Sequence, residues 1–298
     1  AKMPAQGNHH RVARVAVIGT PNAGKSVLVN RIVEAKVSAE SPKRHTTRKE
    51  ILGVLTEKDT QLILTDTPGI LANKEKSRYN LGLVRSPWEA LFGVDAGLVV
   101  LDSAKRLHEA EHQMLLRLQK MQDDDGKGKA PPLFLALNKV DLVHPKVKLL
   151  DMSEQLSDML KFDAVHFTCA TSGEGVPGLV ADLLAEAKAE EWPFKSEIIT
   201  NLSLEERVVE VMREKLFHRF HDELPYQIDQ EVEQMVERED GAVLIRHILI
   251  VKTTGQKRII EGKTGLKLLA LEKTMSDDLE NIFGRPITFK LHVSVKAP

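Results

Sequence analysis

Eight residues constrain this chain more than any others: Gly19-Thr20-Pro21-Asn22-Ala23-Gly24-Lys25-Ser26. They fit G-x-x-x-x-G-K-[ST], a loop that follows a strand, opens a helix and turns its backbone N–H groups inward onto phosphate oxygens. The required context is present. Val12 to Ile18 is a short apolar run of strand length, and Lys25 to Glu34 continues with Val27, Leu28 and Ile32 at helical spacing. A helix N-terminus adds partial positive charge. Gly19, Pro21, Asn22, Ala23, Gly24, Lys25, Ser26 and Val27 are therefore the expected phosphate shell. Within it, Lys25 reaches the β and γ phosphates and the Ser26 hydroxyl ligates Mg²⁺.

Four further segments complete the expected site. Asp66-Thr67-Pro68-Gly69 ends an expected strand; Asp66 suits the Mg²⁺ carboxylate and the Gly69 N–H suits a γ-phosphate sensor. Asn138-Lys139-Val140-Asp141 closes another strand. The Asp141 carboxylate can accept two hydrogen bonds from guanine, whereas adenine has no donors there and would leave buried acceptors unpaired. Asn138 can bond the guanine edge and steady the loop, and the Lys139 stem can cover the ring. Cys169-Ala170-Thr171, after the next strand, would support the base through backbone N–H groups. Between the first helix and the second strand, His45-Thr46-Thr47-Arg48 stands where a threonine can close over Mg²⁺ and γ-phosphate; Thr47 is favoured and Thr46 stays open. Lys25, Thr47 and Gly69 form the expected catalytic set. Ser26, Thr47 and Asp66 form the expected metal set.

The elements around these motifs alternate. Strand-like runs at 53–56, 61–65, 94–101, 133–137 and 165–169 are interleaved with helical spacing at 109–121, 146–160 and 176–188. That pattern predicts an α/β domain with a mostly parallel sheet and helices on both faces. Domain limits are expected at residues 1–190, with a linker over 191–204 and a second domain over 205–298. The second domain reads helix (205–220), strand (228–236), strand (243–251), short helix (257–260), helix (266–282) and strand (287–295), a small α+β unit.

Composition narrows the class. With 42% hydrophobic and 29% charged residues the chain is neither disordered nor fibrous. No run of eighteen apolar residues predicts a membrane span, and Ala1 to His10 holds no apolar stretch of the signal-peptide kind. The single cysteine, Cys169, excludes an internal disulfide framework. A formal net charge of −1 means that any nucleic-acid contact must be local. Two basic patches qualify: Arg246 to Lys273, with seven Lys or Arg against two acids, and Lys36 to Lys49, with five against one. In the first, Gly262-Lys263-Thr264-Gly265 fits the GXXG loop that clamps a single-stranded backbone.

These residues resemble the Era-type ribosome-assembly GTPases, over nearly the whole chain. In the first domain the resemblance rests on the four segments above and Cys169-Ala170; in the second, on Asp222-Glu-Leu-Pro-Tyr226, Gly255-Gln-Lys-Arg258 and Gly262-Lys-Thr-Gly265. It implies a P-loop GTPase domain followed by a type II KH domain that binds small-subunit ribosomal RNA near its 3′ end during assembly. GTP or GDP and Mg²⁺ are the implied cofactors, and the small-subunit precursor with its proteins the implied partners. A monomer is expected when free. Lys257, Arg258, Ile260, Gly262, Lys263, Thr264, Gly265 and Lys267 are the expected RNA contacts, with Ile259 and Ile260 as apolar floor.

Several departures from the family pattern shape further expectations. Glu261 stands where the family usually has an apolar residue, and an acid there repels phosphate. The chain stops at Pro298, where bacterial members continue with a short basic tail. Together with Ser86-Pro87-Trp88, this favours the mitochondrial branch and the matrix, with a bacterial or organellar cytoplasm as the alternative. Ile70 stands where Ras-like proteins place a water-orienting glutamine, so slow intrinsic hydrolysis is expected. K⁺ at Asn22, as the resemblance suggests, or stimulation by RNA or the pre-ribosome would supply the missing stabilisation. A second domain that binds protein, or a GTP-dependent scaffold with little turnover, remain as alternatives.

Overall fold

A computed structural model describes residues 10–41, 50–70, 87–124, 130–262 and 264–296. Its first unit is built on a sheet of order β2-β3-β1-β4-β5-β6, from β1 (Arg11–Ile18), β2 (Ile51–Glu57), β3 (Thr60–Asp66), β4 (Ala96–Asp102), β5 (Leu133–Asn138) and β6 (Ala164–Thr168). All pairs along this path are parallel except β2 with β3. A two-residue β7 (Lys188–Ala189) adds to the start of β1 in antiparallel sense.

The interior strands are apolar on both faces because helices cover both. All six residues of β5 are buried. One core forms beneath α1 (Lys25–Ile32) and α4 (Val176–Ala185), with Leu28, Val29, Leu179 and Leu183 against Val15, Val17 and Leu64. The other lies beneath α2 (Glu109–Gln122) and α3 (Val147–Met159), where Met114, Leu115, Leu118 and Leu156 meet Ile18, Val99 and Leu135. Each fully buried Leu or Met side chain contributes about 1.5–3 kcal/mol.

Strand β1 lies between β3 and β4, so the chain winds outward in both directions from it. The crevice beyond the carboxyl end of such a central strand is where α/β sheets bind ligands, and residues 19–26 occupy that position.

The expected linker begins by lying along the first unit. Val54 N–H donates to the Ile199 carbonyl at 2.8 Å, and Leu52 N–H to Asn201 Oδ1 at 2.9 Å. Trp192 Nε1 donates to the Asp59 carbonyl at 3.1 Å, and its ring stacks on His10. These contacts cover part of the otherwise open edge of β2. Compactness divides the chain between Asn201 and Leu202, and it also assigns a short piece starting at Ala39 to the second unit.

That second unit has α5 (Leu204–Arg219), α6 (Leu224–Gln227), β8 (Asp229–Glu237), β9 (Val243–Val251), α7 (Thr254–Glu261), α8 (Leu266–Phe283) and β10 (Ile287–Val295). Central β9 runs parallel to β10 and antiparallel to β8. Strands β9 and β10 occupy the expected residues, the latter as its alternation implied. Val243, Ile245, Leu249 and Val251 face Val211, Leu216, Ile260, Leu271 and Met275 of the helices. Helix α5 starts with a reciprocal cap: Glu206 N–H donates to Ser203 Oγ and Ser203 N–H to Glu206 Oε2.

Candidate nucleotide site and RNA-binding face

The loop after β1 turns through Asn22 (φ 67°) and Gly24 (φ 96°) into α1. Gly24 has a steric reason beyond its dihedral: a Cβ there would lie 2.3 Å from Asn138 Nδ2. Lys25 is buried, and its Nζ donates to the Gly19 and Thr20 carbonyls at 3.0 and 3.1 Å. Burial lowers its pKa to about 8, with Asp66 opposing the shift. Val27 is half-buried and packs its side chain against the core, leaving its backbone for any nucleotide contact.

Asp66, at the end of β3, is fully buried. Ser26 Oγ donates to its Oδ2 at 2.7 Å. A hydroxyl and a carboxylate are hard oxygen donors, the set that Mg²⁺ takes alongside phosphate and water, so the two residues fit that ion. Gly69 sits against the phosphate loop, where a Cβ would fall 2.8 Å from the Pro21 nitrogen. The next N–H, of Ile70, donates to the Gly19 carbonyl at 3.0 Å.

Asn138, at the end of β5, is 2% exposed. Its Nδ2 donates to the Ala23 carbonyl, and its Oδ1 accepts from Ala170 N–H, both at 3.0 Å. It therefore braces the phosphate loop against the Cys169–Thr171 loop. Lys139 adopts φ 67° and donates from Nζ to the Asn22 carbonyl and to Asp102 Oδ2, both at 2.7 Å. Asp141 is exposed, while Cys169 and Ala170 are buried. The exposed carboxylate can accept from a base edge.

In the second unit, α7 opens at Thr253 with a capping box, Gln256 N–H donating to Thr253 Oγ1. It ends at Gly262 (φ 75°), and Gly265 (φ 72°) opens α8. Arg258, Thr264 and Lys267 are exposed there. Lys257 is half-buried and pairs with Glu261 at 3.6 Å, so the unexpected acid offsets one base of the patch. Ile260 corrects an expectation. It is 1% exposed and packed in the core, whereas Ile259 is 52% exposed. Adjacent helical residues point about 100° apart, so only one of the two can face the sheet, and any apolar floor for bases is Ile259. Thr46, Thr47 and Lys263 lie outside the described residues.

Residues 14–139 match the model of the family described as 50S ribosome-binding GTPase, and residues 223–298 match the KH domain. GTPase Era of Rickettsia bellii is 35% identical over 96% of this chain and 93% of its own length. The chain belongs to the Era GTPases. GTPase Era of Erythrobacter litoralis is also 35% identical, over 94% of this chain and 90% of that protein. Two solved structures agree at 28% identity. Era in complex with MgGDPNP and nucleotides 1506–1542 of 16S ribosomal RNA has TM-score 0.83, covering 97% of this chain and 94% of that one. A point variant of Aquifex aeolicus Era bound to GDP·AlF4⁻ has TM-score 0.85, covering 96% and 94%.

Sequence reasoning about this Era GTPase missed three supports. Arg31 donates from Nε to the Ala170 carbonyl at 2.9 Å and from its terminal nitrogen to Thr171. Glu111 accepts from Thr20 Oγ1 at 2.6 Å. Ser38 donates from Oγ to Asp66 Oδ2 at 2.7 Å. None carries a motif signal, because each acts through a neighbour distant in sequence. Ile70, read in sequence as a missing catalytic glutamine, is 6% exposed and packed with Trp88 and Leu115 in the core. No helix among the described residues is long and apolar enough to cross a membrane.

Proposed function

We propose that this Era GTPase works as a nucleotide-controlled RNA-binding switch. It hydrolyses GTP and binds small-subunit ribosomal RNA near its 3′ end, assisting assembly of the small-subunit precursor with its proteins. The observation that carries the reading is the joining of phosphate loop and base loop by Asn138, in a chain whose second unit has the KH order, with Gly262 ending α7 and Gly265 opening α8. The Era solved with MgGDPNP and 16S ribosomal RNA supports both ligands.

In this reading Lys25 and the loop N–H groups hold the β and γ phosphates, and Ser26 and Asp66 hold Mg²⁺, which neutralises charge developing between those phosphates. Asp141 reads guanine. Thr47, or Thr46, and the Gly69 N–H sense the γ-phosphate. Buried Ile70 cannot orient the attacking water, so intrinsic turnover is slow. K⁺ near Asn22 or the RNA itself supplies the missing stabilisation; equal hydrolysis rates in K⁺ and Na⁺ would remove the first. Lys257, Arg258, Gly262, Lys263, Thr264, Gly265 and Lys267 hold the RNA backbone, and the free protein is a monomer.

The compartment we favour is the mitochondrial matrix, on the Ser86-Pro87-Trp88 stretch; the relatives named above are bacterial. Crosslinking the GTP-locked protein in its native cells and sequencing the bound RNA tests both proposals. Reads peaking near the 3′ end of small-subunit RNA support the ribosomal role, and their genome of origin names the compartment. Reads without a peak sink the ribosomal role.

A further inference from the structure

Ser38 stands twelve residues after Ser26, outside every motif of the nucleotide site, and is 1% exposed. Its hydroxyl and that of Ser26 both reach Asp66 Oδ2 at 2.7 Å. Ser38 is itself held from the opposite side. Asn30 Oδ1 accepts the N–H groups of Val37 and Ser38, each at 2.9 Å, and Asn30 Nδ2 donates to the Ser38 carbonyl at 2.8 Å. Asn30 is one turn after Ser26 on α1, so the two share a helix face. The contacts close a ring: Ser26 to Asp66, Asp66 to Ser38, Ser38 to Asn30, and Asn30 back to Ser26 through the helix.

We propose that Ser38 is a positioning residue for magnesium: its hydroxyl sets the Asp66 carboxylate, and Asn30 sets Ser38. This rests on the reading of Asp66 as the magnesium carboxylate. A metal site gains affinity when its carboxylate is already oriented by hydrogen bonds from groups that do not touch the ion. Ser26 cannot do this alone, because its oxygen is itself to be taken up by the ion. Ser38 enters from a different segment and keeps its bond to Asp66 whether or not the ion is bound. Asn30 adds rigidity by engaging both main-chain polar groups of Ser38, so the hydroxyl starts from a fixed backbone.

The test is the release rate of N-methylanthraniloyl-GDP from the full chain as free Mg²⁺ is varied, with a magnesium-free point in EDTA. Ser38→Ala should raise the Mg²⁺ concentration for half-maximal slowing of release by about tenfold, the lower end for lost supporting partners of metal ligands. Its release rate in EDTA should match wild type. Ser38→Cys, closer in size, should fall between. A change in release that is equal with and without Mg²⁺ would mean a merely structural role and overturns the proposal, as does an unshifted magnesium dependence. Asp66→Asn is the control for the underlying reading. If it keeps wild-type magnesium dependence, the assignment of Asp66 fails; if Asp66→Asn loses that dependence and Ser38→Ala keeps it, only the role of Ser38 fails.

Discussion

The side-chain amide of Asn138 donates to the carbonyl oxygen of Ala23, 115 residues earlier in the chain, at 3.0 Å. Its own oxygen accepts from Ala170 N–H at the same distance. One buried side chain thus sets the spacing between the loop that, in the proposed reading, takes phosphates and the loop that flanks the base. Asn138→Ala strands both partners in a buried setting, at about 1–3 kcal/mol for each unsatisfied group. GTP and GDP affinity should fall at least about tenfold, read by titration with fluorescent nucleotide. Gly24→Ala should do similar damage, since its Cβ meets the same amide.

Lys25 makes nucleotide affinity sensitive to alkali. Burial lowers its pKa to about 8, while bound phosphates favour the charged form. Binding then requires proton uptake above that pH. Affinity should be flat below about pH 7.5 and should weaken above about pH 8, approaching tenfold per pH unit. Titrations between pH 7 and 9 check this, and the trend should vanish in Lys25→Met, which binds weakly throughout.

His247 makes the second unit sensitive to acid. It is 1% exposed on the core face of β9, and neither ring nitrogen has a hydrogen-bond partner among the described residues. Burial lowers its pKa to about 4. The unfolded chain therefore binds a proton near pH 6.5 that the folded chain refuses, and stability falls as pH drops from 6.5 towards 4, by up to about 3 kcal/mol. His247→Leu should flatten this part of the profile in denaturant melts at pH 7, 6 and 5.

Asp141 sets base choice in this reading. Asp141→Asn swaps one acceptor for a donor, so it should lose preference for guanine and gain it for xanthine nucleotides. Competition between GTP and XTP reads the change, and an unaltered ratio removes the residue from base recognition.

Ile259 and Ile260 should separate cleanly. Ile259→Asp changes an exposed side chain and should weaken RNA binding with little effect on melting. Ile260→Ala empties a core position and should cost about 2–5 kcal/mol of stability. RNA titration and thermal melts on both variants check the split.

The pair also shows why part of the site was hidden in the sequence. Two adjacent isoleucines in a short helix satisfy either phase of the helical period, and packing against β9 and β10 selects one. By contrast, the phosphate loop, the Asp66 and Asn138 segments and strands β9 and β10 were legible, because a single contiguous stretch carries each signal. Arg31 was not: it serves the site by gripping carbonyls of Ala170 and Thr171, some 140 residues away. Neither a helix pattern nor a motif marks an arginine for that task.

The two-part architecture, the guanine-nucleotide chemistry and the glycines that end α7 and open α8 could all be read from the amino acids alone. Glycines, capping residues and alternation act on the backbone within a few residues, so they can be read locally. Which further polar side chains support the site depends on the folded arrangement. Arg31, Asn30 and Ser38 act on groups brought near by strand order and helix packing, and a hydrogen bond forms only where folding places its two atoms about 3 Å apart.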